Sequence, residues 1–172
     1  IALQDFNEKL AHYCDRLKLN KPKAAISRVE MSESGVDRLE IMIKNSTIAT
    51  LSSGEFNRLK LAIMCIEADS SANCGILILD EIDANLSGSE SEGVAECLSL
   101  LSKNYQIFAI SHQSQMPSFA NNHYLITKSA SGSAVKLLDK NGRINEIARM
   151  ISGANITDEA LNFAKEKLAH LK

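Results

Sequence analysis

Apolar side chains recur at alternating steps of three and four residues in the first segment of the chain, IALQDFNEKLAHYCDRL. The positions are Leu3, Phe6, Leu10, Tyr13 and Leu17. This spacing is typical of a coiled-coil seam about two heptads long, and an ordinary amphipathic helix packed on a domain gives the same pattern. We expect Pro22 to end this helix, because proline cannot continue the hydrogen-bond ladder.

The middle of the chain alternates between the two hydrophobic periods. Strands are predicted at 26–32, 38–44, Ile76–Leu79 and 106–111, with a turn at 33–37, and helices at Gly54–Ala68 and Ser89–Ser102. Strands that alternate with helices imply an α/β sheet. The fully apolar segment Ile76–Leu79 is of the kind buried inside a parallel sheet.

The last third of the chain predicts two more strands and two closing helices. The strands are HYLITK (123–128) and SAVKLLD (133–139), and a turn is expected at NGR (141–143). The first helix lies around Ile144–Ile151 and is stopped by Gly153. The second begins at Thr157, a good N-cap, and runs to the end of the chain.

Composition places the chain among soluble globular proteins. It has 172 residues, of which 45% are hydrophobic and 23% charged, so it is one domain or a large piece of one. The net charge of −2 gives no global basic field that would argue for nucleic-acid binding. No apolar run approaches the ~18 residues of a membrane span. Because the chain opens with Ile1 rather than Met, we expect a fragment or a processed piece.

The four cysteines show no metal-ligand spacing. Cys65 and Cys97 fall among apolar residues of helical patterns, so we expect them to be core thiols in a reducing, intracellular setting.

An aliphatic run, GILILDEID (75–83), ends in three acids within four positions: Asp80, Glu81 and Asp83. Repulsion and desolvation oppose such a cluster, so a cation is expected beside it. An Asp that closes a buried strand holds Mg²⁺ in phosphate-transferring ATPases, and an adjacent Glu can polarise the attacking water. The plainer alternative is a loop start or a helix cap. His112 closes the next apolar strand, where a lone histidine is often only structural.

The segment LSSGEFNRLKLAI (51–63) contains a second candidate site. Ser52, Ser53 and Gly54 immediately precede a predicted helix. Free backbone N–H groups at a helix start, with a hydroxyl and a glycine beside them, can bind an anion. A serine-capped helix without any ligand is the alternative.

The order of these motifs resembles that of the ABC-type ATPases. LSSGE is similar to their signature motif, GILILDE to their Walker B strand, EIDANLSG to their D-loop and the histidine after QIFAIS to their switch histidine. The tail RINEIARMISGANITDEALNFAKEKL (143–168), with DEIDANLSG and SHQSQM, resembles the RecN family. That family comprises bacterial recombination and repair ATPases related to the structural-maintenance-of-chromosomes (SMC) proteins.

The resemblance implies an α/β fold that is the C-terminal half of an ABC-type ATPase head, with a mostly parallel sheet flanked by helices. Residues 20–172 would form this lobe, and residues 1–19 would be the end of a coiled-coil arm. The Walker A motif, G-x-x-x-x-G-K-[ST], is absent from the sequence. We therefore expect an N-terminal half of the same head to supply Walker A, and this chain alone to be inactive.

The resemblance also implies roles for residues around a bound ATP and its Mg²⁺. Asp80 would position the Mg²⁺ through water. Glu81 would be the catalytic base. His112 would contact the γ-phosphate and sense its loss.

Other residues would act across a dimer of heads. Ser52 and Gly54, within the signature motif that Glu55 closes, would bind the γ-phosphate of a nucleotide held by a second head. Asp83 would couple the two sites. Ser53 departs from the family pattern, which usually has glycine at this position and so leaves more room beside the nucleotide.

The function implied is ATP hydrolysis in DNA double-strand-break repair and recombination. The partners would be the N-terminal half, a second head in an ATP-dependent homodimer, and DNA through the full-length protein, in the cytoplasm with the nucleoid and without a membrane. A transporter-type ABC subunit is an alternative, disfavoured by the seam at residues 3–17 and by the tail. A nucleotide-gated clamp without turnover is another, and the presence of both Asp80 and Glu81 argues against it.

Overall fold

The chain divides into two units, Ile1–Ile110 and Ser111–Lys172. The computed structural model describes residues 2–33, 35–44, 46–71, 74–130 and 132–169. Both units combine helices with strands, so the predicted α/β class is confirmed. Within the described residues, no helix is both long and apolar enough to cross a membrane.

The described residues of the first unit form three helices, two sheets and a short 3-10 turn at Ile48–Thr50. The helices are α1 (Leu3–Arg16), α2 (Ser53–Ser70) and α3 (Gly88–Leu101); the strands are β1 (Pro22–Ser32), β2 (Gly35–Ile43), β3 (Ser46–Thr47), β4 (Gly75–Asp80) and β5 (Tyr105–Ile110). Strands β1, β2 and β3 form an antiparallel sheet, and β4 pairs with β5 in parallel. The register places Gly75 opposite Tyr105 and Asp80 opposite Ile110.

Helix α1 ends earlier than the sequence predicts. It stops at Arg16, the chain reverses through a left-handed Lys18 with φ of 54°, and Pro22 is the first residue of β1. The prediction that Pro22 ends the helix was therefore wrong. Its fixed φ and missing N–H instead suit the first position of a strand.

One face of α1 is buried in the first unit. Leu10, Tyr13, Cys14 and Leu17 are buried, and the helix contacts β1, α2 and α3. The C-terminal half of α1 is therefore an amphipathic helix packed on a domain. The assignment of residues 1–19 to the end of a coiled-coil arm stays a prediction.

The core between the three helices contains three of the four cysteines, and Cys74 is exposed. Cys65 and Cys97 are buried free thiols, as predicted, and Cys14 on α1 is buried as well. Burial raises the pKa of the Cys14 thiol to about 12, so the reactive thiolate is scarce at neutral pH.

Only one face of the parallel pair is packed. Ile76 and Ile78 on β4 are 66% and 74% exposed. On β5, Phe108, which lies opposite Ile78, and Ile110, which lies opposite Asp80, are also exposed. The prediction of a fully buried strand was therefore wrong for this face. The prediction of a mostly parallel sheet also needs correction, because β4 and β5 are the only parallel pair among the described strands.

The second unit contains a hairpin and, after it, two helices that pack on each other. It contains a 3-10 turn at Met116–Phe119, the antiparallel strands β6 (Tyr124–Ser129) and β7 (Gly132–Leu137), and helices α4 (Lys140–Ser152) and α5 (Asp158–Ala169). Ile147 and Ala148 of α4 form a core with Ala160, Ala164 and Leu168 of α5. The predicted N-cap is confirmed, since the Ala160 N–H donates to the Thr157 hydroxyl at 3.2 Å. Gly153 ends α4 with a φ of +76°, also as predicted.

Residues 141–143 form the first turn of α4 and not a separate turn. The side chain of Asp139 caps the helix by accepting a 2.7 Å hydrogen bond from the Gly142 N–H. The prediction of an NGR turn was wrong because this cap starts the helix before the apolar pattern begins. Arg143 then donates to the carbonyl groups of Pro117 and Ala120, both at 2.7 Å, and so anchors the 3-10 turn.

We predict that Gly93→Ala destabilises the chain by about 1–3 kcal/mol, despite the better helix propensity of alanine. A Cβ at Gly93 of α3 would overlap the carbonyl oxygen of Arg16, where α1 ends. Urea unfolding measures the effect. The matched control is Gly75→Ala, whose Cβ would lie an ordinary 3.8 Å from the Tyr105 ring. Equal stability of the two variants would contradict the close α1–α3 approach.

Candidate functional site

The acidic pair lies at the carboxyl end of β4, within a strained bend. Asp80 and Glu81 are both exposed. Glu81 has a φ of +48°, a left-handed conformation that is uncommon for residues other than glycine. Its N–H donates to the Ile110 carbonyl at 3.1 Å and its carbonyl accepts from the Ala84 N–H at 3.0 Å. These two bonds hold the strained backbone in place, and strain of this kind clusters at functional sites.

A compact turn follows the acidic pair. Asn85 is also left-handed, with a φ of 61°, and the Leu86 N–H donates to the Asp83 carbonyl at 3.3 Å. Asp83 is completely buried. Its side chain is therefore part of the interior of the turn in this structure and not an exposed carboxylate.

Residues 52–55, called here the signature segment, start α2 with a capping box. The Ser52 hydroxyl accepts from the Glu55 N–H at 3.3 Å and donates to Glu55 Oε2 at 2.8 Å, and the Ser52 N–H also donates to Oε2 at 3.0 Å. These hydrogen bonds, the backbone one first, hold the pKa of the Glu55 carboxyl below its ordinary value. The serine-capped helix is thus present in the structure. Ser52 and Ser53 are nevertheless exposed, so a ligand can reach this helix start.

Ser53 occupies the first position of α2. It is not among the described residues with a positive φ, so the backbone here does not require glycine. Gly54 is partly buried, and a Cβ on it would lie 3.5 Å from Leu86 Cδ2. The departure at Ser53 therefore involves space beside a ligand and not backbone strain.

A second capping box, which the sequence reading missed, starts α3. The Ser87 N–H and hydroxyl both donate to Glu90 Oε2 at 2.8 Å, and the Glu90 N–H donates to the Ser87 hydroxyl at 3.4 Å. The signal was available as Ser-x-x-Glu ahead of a helical pattern. The turn after the acidic pair therefore ends in a firmly capped helix.

Two contacts join the starts of α2 and α3. Arg58, in the second turn of α2, donates from Nη1 to Glu90 Oε1, and Arg58 is only 5% exposed. Leu86, in the turn before α3, reaches Gly54 in the signature segment. The Ser87 backbone bond and the Arg58 guanidinium lower the pKa of Glu90 to about 2. Sequence reasoning missed all three of Arg58, Leu86 and Glu90, because no local pattern pairs them.

His112 lies in the second unit. It is exposed, in the segment after β5, and its neighbour Ser111 accepts a hydrogen bond from the Gln113 N–H at 2.9 Å. The structure thus brings the signature segment and the turn after Glu81 together in one unit, and it places the histidine in the other.

Asp80 and the start of α2 suit those parts of a magnesium–nucleotide site that a single chain can supply. The described residues contain no group of three or more side chains that could hold a metal ion. Mg²⁺ in nucleotide sites takes one or two carboxylates and fills its remaining positions with water and phosphate oxygens. Asp80 offers such a carboxylate, and the exposed start of the 18-residue helix α2 suits a phosphate.

Curated DNA repair proteins match nearly the whole chain. A RecN from Helicobacter pylori strain J99 is 44% identical over 167 residues, which is 96% of this chain and 32% of that protein. A RecN from Rickettsia bellii is 33% identical over 185 residues, covering 98% of this chain and 33% of that protein. The chain spans about a third of the length of these relatives. A scan against protein-family models finds no match.

Solved SMC head structures share the fold. The Smc head domain of Pyrococcus yayanosii, with a coiled coil and joint, has a TM-score of 0.66 and 21% identity, covering 84% of this chain and 29% of that chain. An SMC ATPase structure, described in terms of ATP-driven dimerization and DNA-stimulated activation, has a TM-score of 0.61 and 19% identity. It covers 89% of this chain and 95% of that chain, so a solved fragment of similar extent has this fold.

We predict that Glu90→Gln flattens the acid dependence of stability between about pH 5 and pH 2. The folded-state pKa of Glu90, about 2, lies below its ordinary value of 4.5, so its contribution is complete above that value and is lost as pH falls through 2. Urea unfolding at several pH values measures this slope. Glu96→Gln is the control, because Glu96 is on the same helix in an exposed pair. Parallel profiles for wild type and Glu90→Gln would contradict the assignment.

Proposed function

Over the third of its relatives' length that it spans, the chain belongs to the RecN family of DNA repair proteins, and from this premise we propose that it forms the C-terminal half of an ATP-hydrolysing SMC-type head. The observation that carries the proposal is the pair Asp80–Glu81 at the end of a parallel strand, with Glu81 held in a strained left-handed bend. The DNA-repair setting rests on the relatives.

In this proposal the acidic pair performs the chemistry of the chain's own nucleotide site. Asp80 holds Mg²⁺ through a water, and the ion, when bound, neutralises charge on the phosphates. Glu81 accepts a proton from the water that attacks the γ-phosphate. The two backbone hydrogen bonds of Glu81 restrict where its carboxylate can lie. This restriction supports the proposal that the base is already in position before substrate binds.

The signature segment acts on the nucleotide of a second head. Ser52 redirects its O–H from Glu55 to a γ-phosphate oxygen, while its oxygen keeps accepting from the Glu55 N–H. Gly54 permits close approach of the backbone, and Ser53 adds a hydroxyl at an exposed position of the helix start.

Asp83 and His112 take different parts. Because Asp83 is buried, we assign it the task of holding the turn that meets the second head, so that it couples the sites through the backbone. His112 is exposed and contacts the γ-phosphate, whose loss it senses.

Another segment of polypeptide completes the head. No Walker A motif occurs in this sequence, so the lysine and amides that hold the β- and γ-phosphates come from an N-terminal half. The open apolar face of Ile76, Ile78, Phe108 and Ile110 supports such a partner, since contiguous exposed apolar surface usually marks an interaction site. The assembly of this chain with the N-terminal half, called here the complete head, dimerises on ATP. It acts on DNA in the cytoplasm, associated with the nucleoid.

We predict that this chain alone gives no ATP turnover, and that turnover appears when a Walker A-bearing half is co-assembled with it. Phosphate release measures activity, and co-purification checks that the halves bind each other. Turnover by the chain alone would contradict the shared site. An assembled but inactive head would leave a nucleotide-gated clamp as the better function.

We predict that Glu81→Gln lowers turnover by the complete head about 10²–10⁴-fold, because the proton acceptor is lost while the shape is kept. ATP-bound dimers should then accumulate, as measured by size-exclusion chromatography with ATP. The control is Glu67→Gln, which changes an exposed glutamate of α2. Unchanged turnover in Glu81→Gln would remove the assigned base.

A further inference from the structure

Arg58 is an arginine buried between two helices. It is 5% exposed, and its side chain lies where the second turn of α2 meets the first turn of α3. A guanidinium in such a place must be neutralised by a neighbour, because an uncompensated buried charge is costly. Glu90 does this by accepting a hydrogen bond from Nη1.

The same arginine links the two helices that the capping boxes start. Its guanidinium is bonded to Glu90, which caps α3, and Arg58 itself lies three residues after Glu55, which caps α2. Each glutamate is bonded to a serine at the start of its own helix, Ser52 or Ser87. Arg58 therefore connects two loop-to-helix junctions that are far apart in sequence.

An apolar contact lies beside the ion pair. Leu86 in the turn after the acidic pair reaches Gly54 in the signature segment. The two junctions thus meet through one ion pair, whose arginine is buried, and one leucine. A leucine contact alone has no directional preference, whereas an arginine–carboxylate hydrogen bond prefers a defined geometry.

We propose that Arg58 and Glu90 are positioning residues. Their ion pair holds the signature segment, 52–55, in fixed register with the turn 83–86, so that both segments contact a second head at the same time. Neither residue touches nucleotide. The inference rests on the proposed function, in which these two segments meet the other head's ATP. It assigns to the pair a role in turnover that is separate from its contribution to folding.

Loss of register acts on turnover more than on nucleotide binding within one head. In the proposed function the phosphates are held mainly by the Walker A half of the head. The signature segment completes the site only when the heads close. A displacement of about 1 Å at such a site can cost about 100-fold in rate. The expected signature is a lower kcat with KM for ATP nearly unchanged.

The test uses complete heads carrying Arg58→Met, Glu90→Gln, or both. Arg58→Met should lower kcat about ten- to 100-fold and leave KM within about threefold. Removing one partner leaves a buried charge, so each single variant should also melt at a lower temperature. The matched control is the Arg16–Glu96 pair of α1 and α3, 40% and 45% exposed, where Arg16→Met and Glu96→Gln should change kcat less than about twofold.

The double variant separates folding from positioning. With both charges gone, no buried ion is left unpaired, so the melting temperature should recover toward the wild-type value. If the pair sets register, kcat stays low in the double variant. Recovery of kcat together with stability would overturn the proposal, because the pair would then only support the fold.

Mixing two defective heads tests whether the effect reaches the other head. An Arg58→Met head mixed with a Glu81→Gln head forms one site with an intact base facing an intact signature segment, so turnover should rise above that of either parent. A head carrying both changes gives no such rise with either parent. No recovery in the first mixture would place the effect of Arg58 within its own head and overturn the proposal.

Hydrogen exchange gives a readout that does not depend on turnover. Arg58→Met should speed exchange at the amides of Glu55 and Leu86, whose hydrogen bonds lie at the two junctions, and Arg16→Met should not. If wild-type heads show no turnover, the proposed function fails. If they turn over and need Glu81 while Arg58→Met behaves like Arg16→Met in kcat and exchange, the positioning role alone fails.

Discussion

A buried positive charge has to be neutralised where it lies, and in the first unit this constraint determines how two helices meet. Arg58 is enclosed at the start of α2, so the start of α3 must bring Glu90 to it. Glu90 in turn is oriented by Ser87 through the α3 capping box. The position of the turn after β4 follows from this chain of bonds, and with it the position of Leu86 against Gly54.

Close packing also holds the second turn of α3 and the far end of α2 against α1. Gly93 lets α3 approach the carbonyl end of α1, and the Tyr13 hydroxyl donates to Asp69 near the end of α2 at 2.6 Å. The burial of Leu10, Cys14 and Leu17 adds apolar contact along the same face. Helix α2 is therefore tied to α3 at the signature end and to α1 at the far end. A helix fixed at both ends transmits a displacement at one end better than a loop would.

Much of the site could be predicted from local sequence, since the acids, the serines and the order of the motifs are read directly. Most helix and strand positions also followed from periodicity. The exceptions include the end of α1, which stops at Arg16 and not at Pro22, and the start of α4, which the Asp139 cap places early. The exposure of Ile76 and Ile78 was not predictable, because an apolar run does not say which of its faces finds a partner within the same chain. The burial of Asp83 was not predictable either, because the local sequence does not show which neighbours enclose a side chain.

The sequence by itself determined the α/β class, the approximate elements, the resemblance to SMC-like repair ATPases and the residues that we propose for phosphate and Mg²⁺, because each of these depends on residue type and on neighbours a few positions away. Only the tertiary structure decided that Arg58 meets Glu90, 32 positions further on, that Leu86 reaches Gly54, and that Glu81 adopts a left-handed backbone. Those contacts depend on how α2, α3 and the parallel pair pack, and helical or strand periodicity carries no information about which distant side chains come together.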